Sequence, residues 1–245
     1  MRAITGIAVL VLVKCADAQA RVDTVPFVGC PADGQQGYIP PPQGQPKVAG
    51  RHDVSLEAIA YYKGEYSSGV FAPAGWHCRV WYGSSGSTLL VTPTPIDTAG
   101  FRPLKVLGPA VEMRFSFAGT SGRFSVARYG SRLFPTVLAS FVRSVKGEHV
   151  APDSEFDPGQ YAGDSVRSLG RLITLFTTPP GVSGLGTAEF LVPSRDPIHG
   201  VAVIAADSME PDMSILRVRL GAHMRQVEAA VLRLNRECMQ TTDGC

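Results

Sequence analysis

The chain has 245 residues, 44% of them hydrophobic, enough for one large domain or two small ones. Its formal net charge is +2 and it has no basic stretch, which argues against nucleic acid, because binding there needs clustered Lys and Arg to displace counterions. No run beyond the first residues is long and apolar enough for a transmembrane helix, so the chain is not expected to span a membrane.

Residues 1–20 read as a signal peptide: Arg2, an apolar run over residues 3–13, then Ala18-Gln19-Ala20 as a small-x-small cleavage site. Lys14 before Cys15 does not fit a lipoprotein cleavage box, which needs a small residue there. Cleavage after Ala20 removes 20 of 245 residues and leaves 225; losing Arg2, Lys14 and Asp17 takes the charge from +2 to +1. Arginine outnumbers lysine 18 to 5 and Asn235 is the single asparagine, a bias of GC-rich bacterial coding sequence. The expectation is a bacterial protein of the periplasm or the secreted fraction.

Four cysteines survive that cleavage, Cys30, Cys78, Cys238 and Cys245. An even number in an oxidising compartment points to two disulfides. Of the three connectivities, Cys30 with Cys78 and Cys238 with Cys245 is favoured, because the last two lie close in sequence and Cys30 sits on a segment that needs a tether. No C-x-x-C pair argues for zinc, and neither a metal nor another cofactor is expected.

Residues 21–50 are rich in Pro, Gly and Gln around Pro40-Pro41-Pro42 and cannot fold alone. They are expected to lie on the domain as an extended arm pinned by Phe27, Val28 and Cys30. Residues 56–62 suit a short helix or strand, and 69–72 a short strand. Residues 76–93 are the clearest hairpin, two alternating runs about a Gly/Ser turn. With Ser84 and Ser85 as the loop, Tyr82 faces Ser87, Val80 faces Leu89 and Cys78 faces Val91. The inward set is Trp76, Cys78, Val80, Tyr82, Leu89 and Val91. His77, Arg79 and Trp81 share the opposite face with Thr88, Leu90 and Thr92.

After a proline-marked connection, residues 110–117 form a strand with Val111, Met113, Phe115 and Phe117 toward a core and Glu112, Arg114 and Ser116 toward water. A helix capped by Thr120 or Ser121 runs to about Leu133. A second starts at Pro135 and runs through Lys146, its apolar stripe being Val137, Leu138, Phe141, Val142 and Val145, and Gly147 ends it. Residues 148–170 read as polar loop. Strands follow at 172–177, 188–192 and 201–205, and 213–220 alternates as a strand. The closing helix places Met224, Val227, Val231, Leu234 and Cys238 on one stripe, with Arg225, Glu228, Arg233 and Glu237 away from it.

Three motifs invite a chemical reading. Gly83-Ser84-Ser85-Gly86-Ser87 is not a hydrolase nucleophile elbow, because its fifth position is Ser and a strand rather than a helix follows. Gly181-Val182-Ser183-Gly184-Leu185-Gly186 lacks the lysine of a phosphate loop and opens no helix. Asp153, Glu155, Asp157 and Asp164 have calcium-loop spacing, but Pro158 stands where the sharp turn requires Gly. His52, His77, His149, His199 and His223 have no metal or catalytic spacing, although His199 near Asp196, or His52 beside Asp53, could join a serine in space.

The expected architecture is α+β: an antiparallel-dominated sheet of about six to eight short strands with two or three helices packed on one side. It forms a single domain over residues 51–245, with a possible subdivision near 152. Function is expected to be non-catalytic: an exported binding or envelope-accessory protein using His77, Arg79 and Trp81 toward a protein, peptide or glycan partner. The alternatives are an exported hydrolase with an unrecognised Ser/His site and an inhibitor of a secreted enzyme. No catalytic residue is singled out.

Overall fold

The computed structural model describes residues 23–34, 37–50, 56–96, 104–205, 209–241 and 245. The signal-like segment 1–20 and the His52–Asp53 pair lie outside the described residues. Within them the chain forms thirteen strands and three α-helices. The strands are β1 (Asp23–Val25), β2 (Phe27–Cys30), β3 (Ala32–Gly34), β4 (Lys47–Gly50), β5 (Ile59–Gly64), β6 (Val70–Pro73), β7 (His77–Gly83) and β8 (Gly86–Thr92). They continue with β9 (Ala110–Ser116), β10 (Ser165–Ser168), β11 (Ile173–Thr178), β12 (Ile198–Ile204) and β13 (Met213–Arg219). The helices are α1 (Arg123–Leu133), α2 (Ala139–Lys146) and α3 (Arg225–Met239).

An eight-stranded sheet in the order β10-β11-β12-β13-β9-β8-β7-β3 carries the fold, antiparallel except where β3 joins β7. This is the expected α+β architecture. The hairpin has the register that a Ser84-Ser85 loop dictates, with Gly83 opposite Gly86, Tyr82 opposite Ser87 and Cys78 opposite Val91. Gly86 takes φ +136°, and a Cβ there would stand 2.0 Å from the Phe115 carbonyl oxygen, so only glycine lets β8 approach β9 this closely.

Side chains alternate across the sheet, so each cross-strand row belongs to one face. The row Val80, Leu89, Met113, Leu216, Val201 and Leu175 runs over six strands in register, all of it apolar. Val231, Leu234 and Cys238 of α3 close this face together with Ile59, Tyr62, Val70 and Phe71 of a small β2-β5-β6 sheet. α1 and α2 pack on the other face, where Val126, Tyr129, Leu133 and Leu138 meet Ala202, Ile204, Met213 and Ile215.

Asn235 joins α3 to the edge of the small sheet. Its Oδ1 accepts from the Phe71 N–H and its Nδ2 donates to the Phe71 carbonyl, both at 2.8 Å, so an amide side chain pairs with β6 as a neighbouring strand would. Both favoured cysteine pairs form, Cys30 with Cys78 and Cys238 with Cys245, at Cα separations of 5.4 and 5.3 Å.

Several local expectations are corrected. The Glu112 face of β9 is not solvated: Glu112 and Arg217 are both fully buried and paired at 2.6 Å, while Phe115 is only half-buried and Phe117 is exposed. The reason is the cover of α1 and residues 185–192, which no pattern within β9 reports. The second helix starts at Ala139 rather than Pro135. The polar stretch 148–170 contains two 3-10 turns and the edge strand β10. Residues 188–192 form a single parallel bridge, Val106 to Leu191, instead of a strand. Glu228 of α3 is buried rather than turned away from the stripe.

Burial pushes the Glu112 carboxyl above its usual range and the Arg217 guanidinium beside it draws it back. Breaking such a pair strands one charge in the interior, whereas removing both does not. Glu112→Ala is therefore expected to destabilise the fold by about 3–5 kcal/mol, and the double variant Glu112→Leu/Arg217→Met by much less, as measured by urea unfolding.

Glu228 gives a pH signature. Burial pushes its carboxyl up to about 7, against a backbone N–H of Leu220 that favours ionisation. Below about pH 4.5 both folded and unfolded chains hold the proton. As pH rises toward 7 the unfolded chain releases it first, so the stabilising share of this group is lost across that window. Glu228→Gln is expected to flatten that fall and to gain about 1–2 kcal/mol at pH 8, with no gain at pH 4. Thermal melts across pH 4 to 8 check it.

Candidate ligand cleft

On the same face as the core row, one step toward the hairpin tip, lies the row Tyr82, Ser87, Phe115, Ser214, Val203 and Ile173. At roughly 4.8 Å per strand it is about 24 Å wide. α3 ends at Met239 and β5 at Gly64, so the elements that close the core row stop short of this one. The row instead floors a cleft of about 1140 Å³. Its composition suits that position. Ser87 and Ser214 flank the Phe115 ring, and two small polar side chains beside a large apolar one leave hollows that a packed core would not tolerate.

The walls come from three places. From the β5–β6 turn, Tyr66 sets its ring 5.2 Å from Tyr82. Tyr66 holds φ 55°, a left-handed backbone that costs a residue with a Cβ about 1–2 kcal/mol, and its ring is well exposed. From the end of β9, Phe117 stands edge-on to Phe115 at 4.8 Å, and its N–H bonds the Ser85 carbonyl at the hairpin tip. On the third side are Met239 and Cys245. The Cys245 carbonyl collects the Gly69 N–H at 2.9 Å, the Tyr61 hydroxyl at 2.8 Å and Lys63 Nζ at 3.3 Å. Burial raises the Tyr61 phenol to about 12, so it stays a donor at any ordinary pH.

The two charged residues of the lining are already engaged. Lys63 is held at Cys245, and Asp212 Oδ1 accepts from the Ala118 N–H at 2.8 Å. What the cleft offers a ligand is therefore aromatic and aliphatic surface edged by hydroxyls, chemistry for an apolar body. The sequence carried one signal of it, the serines at positions 87 and 214 on otherwise apolar strand faces. Only the pairing of β8, β9 and β13 brings them into one row.

His77, Arg79 and Trp81 share a sheet face but not one surface. His77 is exposed at the start of β7. Arg79 reaches the edge strand, bonding Asp33 at 3.2 Å and lying over the Tyr38 ring at 5.8 Å. Trp81 packs 4.6 Å from Phe190, in a small core with Leu90, Ala110, Leu191 and Ile198. That cover is held down by Arg219, whose guanidinium donates to the carbonyls of Gly108, Val192 and Val106.

The four acidic residues with calcium-like spacing are each engaged elsewhere: Asp153 with Lys146, Glu155 with Arg128, Asp157 with the Gly159 N–H, and Asp164 with Thr178 and the Leu185 N–H. Among the described residues no group of three His, Cys, Asp or Glu side chains is placed to hold a metal. His199 meets Thr177 at 3.1 Å, three rows' breadth from the hairpin tip, and burial lowers its pKa. The His199–Asp196 neighbourhood brings no serine into a hydrogen-bonded set among the contacts of His199.

No protein-family model matches the chain, and none of the curated proteins is significantly similar to it.

Because Trp81 packs against Phe190, Trp81→Ala is expected to act on stability, lowering it by about 3 kcal/mol, within the range for truncating a buried aromatic. His77→Ala, at an exposed position, is expected to leave it within about 0.5 kcal/mol. Denaturant midpoints of the two variants make the comparison.

Proposed function

We propose that this is an exported, non-catalytic binding protein whose ligand lies along the row from Tyr82 to Ile173. The observation that carries the reading is the open row itself: six strands in register present aromatic, aliphatic and serine side chains to a cleft of about 1140 Å³ beside a fully covered core row. A concave, mostly apolar site with a few hydroxyls is the usual form of a small-molecule pocket. Export rests on the signal-like residues 1–20 and on two disulfides, which persist in oxidising compartments. No helix among the described residues is long and apolar enough to cross a membrane.

Two observations favour binding over the other readings. A serine hydrolase needs a base within reach of its hydroxyl, and the lysine and aspartate of this lining are held by the Cys245 carbonyl and the Ala118 amide. An inhibitor presents a projecting loop, whereas the Ser84-Ser85 tip is tied back to Phe117.

The experiment is titration with an environment-sensitive naphthalene dye. The wild type is expected to give saturable enhancement, and Ser214→Trp, which fills the hollow beside Phe115, to weaken binding at least tenfold with little change in melting temperature. Equal enhancement by the two proteins would remove the cleft as the binding site.

A further inference from the structure

The cleft does not stop at the end of the sheet. Leu172, Ile204 and Ala205 line it and also line a second hollow of about 660 Å³. That hollow lies against α2, with Leu138, Phe141 and Val145 on one side and Met209 and Pro211 on the other. Val137 and Met209 leave further apolar surface exposed at its mouth. The shared residues make a continuous apolar path from Phe115, over the ends of β11 and β12, to Phe141.

Charge is distributed unevenly along this path. Arg123 is taken by Glu148, in two hydrogen bonds from its Nε at 2.8 and 3.0 Å and one from its Nη2 at 2.7 Å, and it also feels Glu210. Arg171 differs. It sits in the turn between β10 and β11 that Gly170 makes possible with φ +90°, one residue before the shared Leu172. Its side chain is exposed and lines the second hollow, and among the described residues it has no ion pair or side-chain hydrogen bond. The path thus offers one uncompensated cation and, on both sides of the sheet end, apolar walls.

We propose, resting on the cleft reading above, that the ligand is a single-chain fatty acid, its carboxylate on Arg171 and its hydrocarbon chain over Leu172 and Ile204 into the aromatic cleft. A guanidinium presents paired N–H donors that match a carboxylate, and the chain buries apolar surface along the whole path. Each added methylene is expected to tighten binding about threefold to fourfold, the equivalent of about 0.8 kcal/mol per buried CH2.

The test is a competition against the naphthalene dye using dodecanoic acid, decanoic acid and dodecan-1-ol, each below its aggregation concentration, on the wild type, Arg171→Gln and Arg167→Gln. Arg167 is an exposed arginine of the neighbouring strand outside both hollows and serves as the charge control. Dodecanoic acid is expected to bind about tenfold more tightly than the alcohol and more tightly than decanoic acid. Arg171→Gln is expected to erase the preference for the acid while leaving alcohol binding and melting temperature unchanged, and Arg167→Gln to keep it. Equal binding of acid and alcohol by the wild type, or a preference that survives Arg171→Gln, overturns the assignment of the head group and leaves the cleft standing. If neither compound displaces the dye, the fatty acid is excluded. If the dye itself does not bind, the cleft reading falls and the fatty acid with it.

Discussion

The register between β8 and β9 is the constraint on which the remaining structure depends. Gly86 lies so close to the Phe115 carbonyl that no side chain fits, and the two-residue loop before it leaves the hairpin no slack. A slip of one residue would turn Leu89 and Val91 away from α3 and bring Leu90 into their place. With the register set, β13, β12 and β11 continue the same rows, and the covered row and the open row become neighbours. The ligand cleft is thus a by-product of alignment: the same pairing that completes the core exposes the row beside it, because α3 and the small sheet reach only so far.

The two faces of the sheet solve burial differently. One is closed by aliphatic and aromatic packing, with a single polar device, Asn235, where α3 meets the β6 backbone. The other buries charge. Arg217 pairs with Glu112 and donates to the Leu185 carbonyl, while Arg114 and the Tyr129 hydroxyl converge on Glu189. Burial works against the Arg217 cation, yet Glu112 and the more distant Glu189 hold its pKa above the ordinary arginine value, so the ion pair persists. These groups connect the sheet to residues 185–192, a segment with little regular structure of its own. Hydrogen-bonded charges locate it where strand pairing does not.

The legible parts of the fold were those in which a local pattern and a tertiary contact agree. The hairpin showed alternation, a Gly/Ser turn and a cysteine in a partner position, and all three are used. The α3 stripe from Val227 to Cys238 is helical at every step and is buried along its length, apart from the added burial of Glu228. Where local pattern and environment diverge, sequence reasoning missed. Glu112 alternates with Val111 and Met113 as a solvated residue would, and only Arg217, 105 positions away, makes its burial tolerable. Strand β10 lies in a polar stretch because it is an edge, half of whose hydrogen-bonding groups face water. Trp81 looked available for a partner because Phe190, its cover, belongs to a distant segment.

The sequence by itself determined the elements, the hairpin register, the choice of two short-reach cysteine pairs and the α+β class, since each follows from periodicity, turn chemistry or chain proximity. Tertiary structure alone decided which faces would be dry. Strand periodicity reports that two sides differ, but how far a covering helix extends, and whether a serine row ends under it or beyond it, depends on where separate elements finish in space. That is why the open row of Tyr82, Ser87, Phe115, Ser214, Val203 and Ile173, drawn from five segments of chain, could be seen only after the strands had been paired.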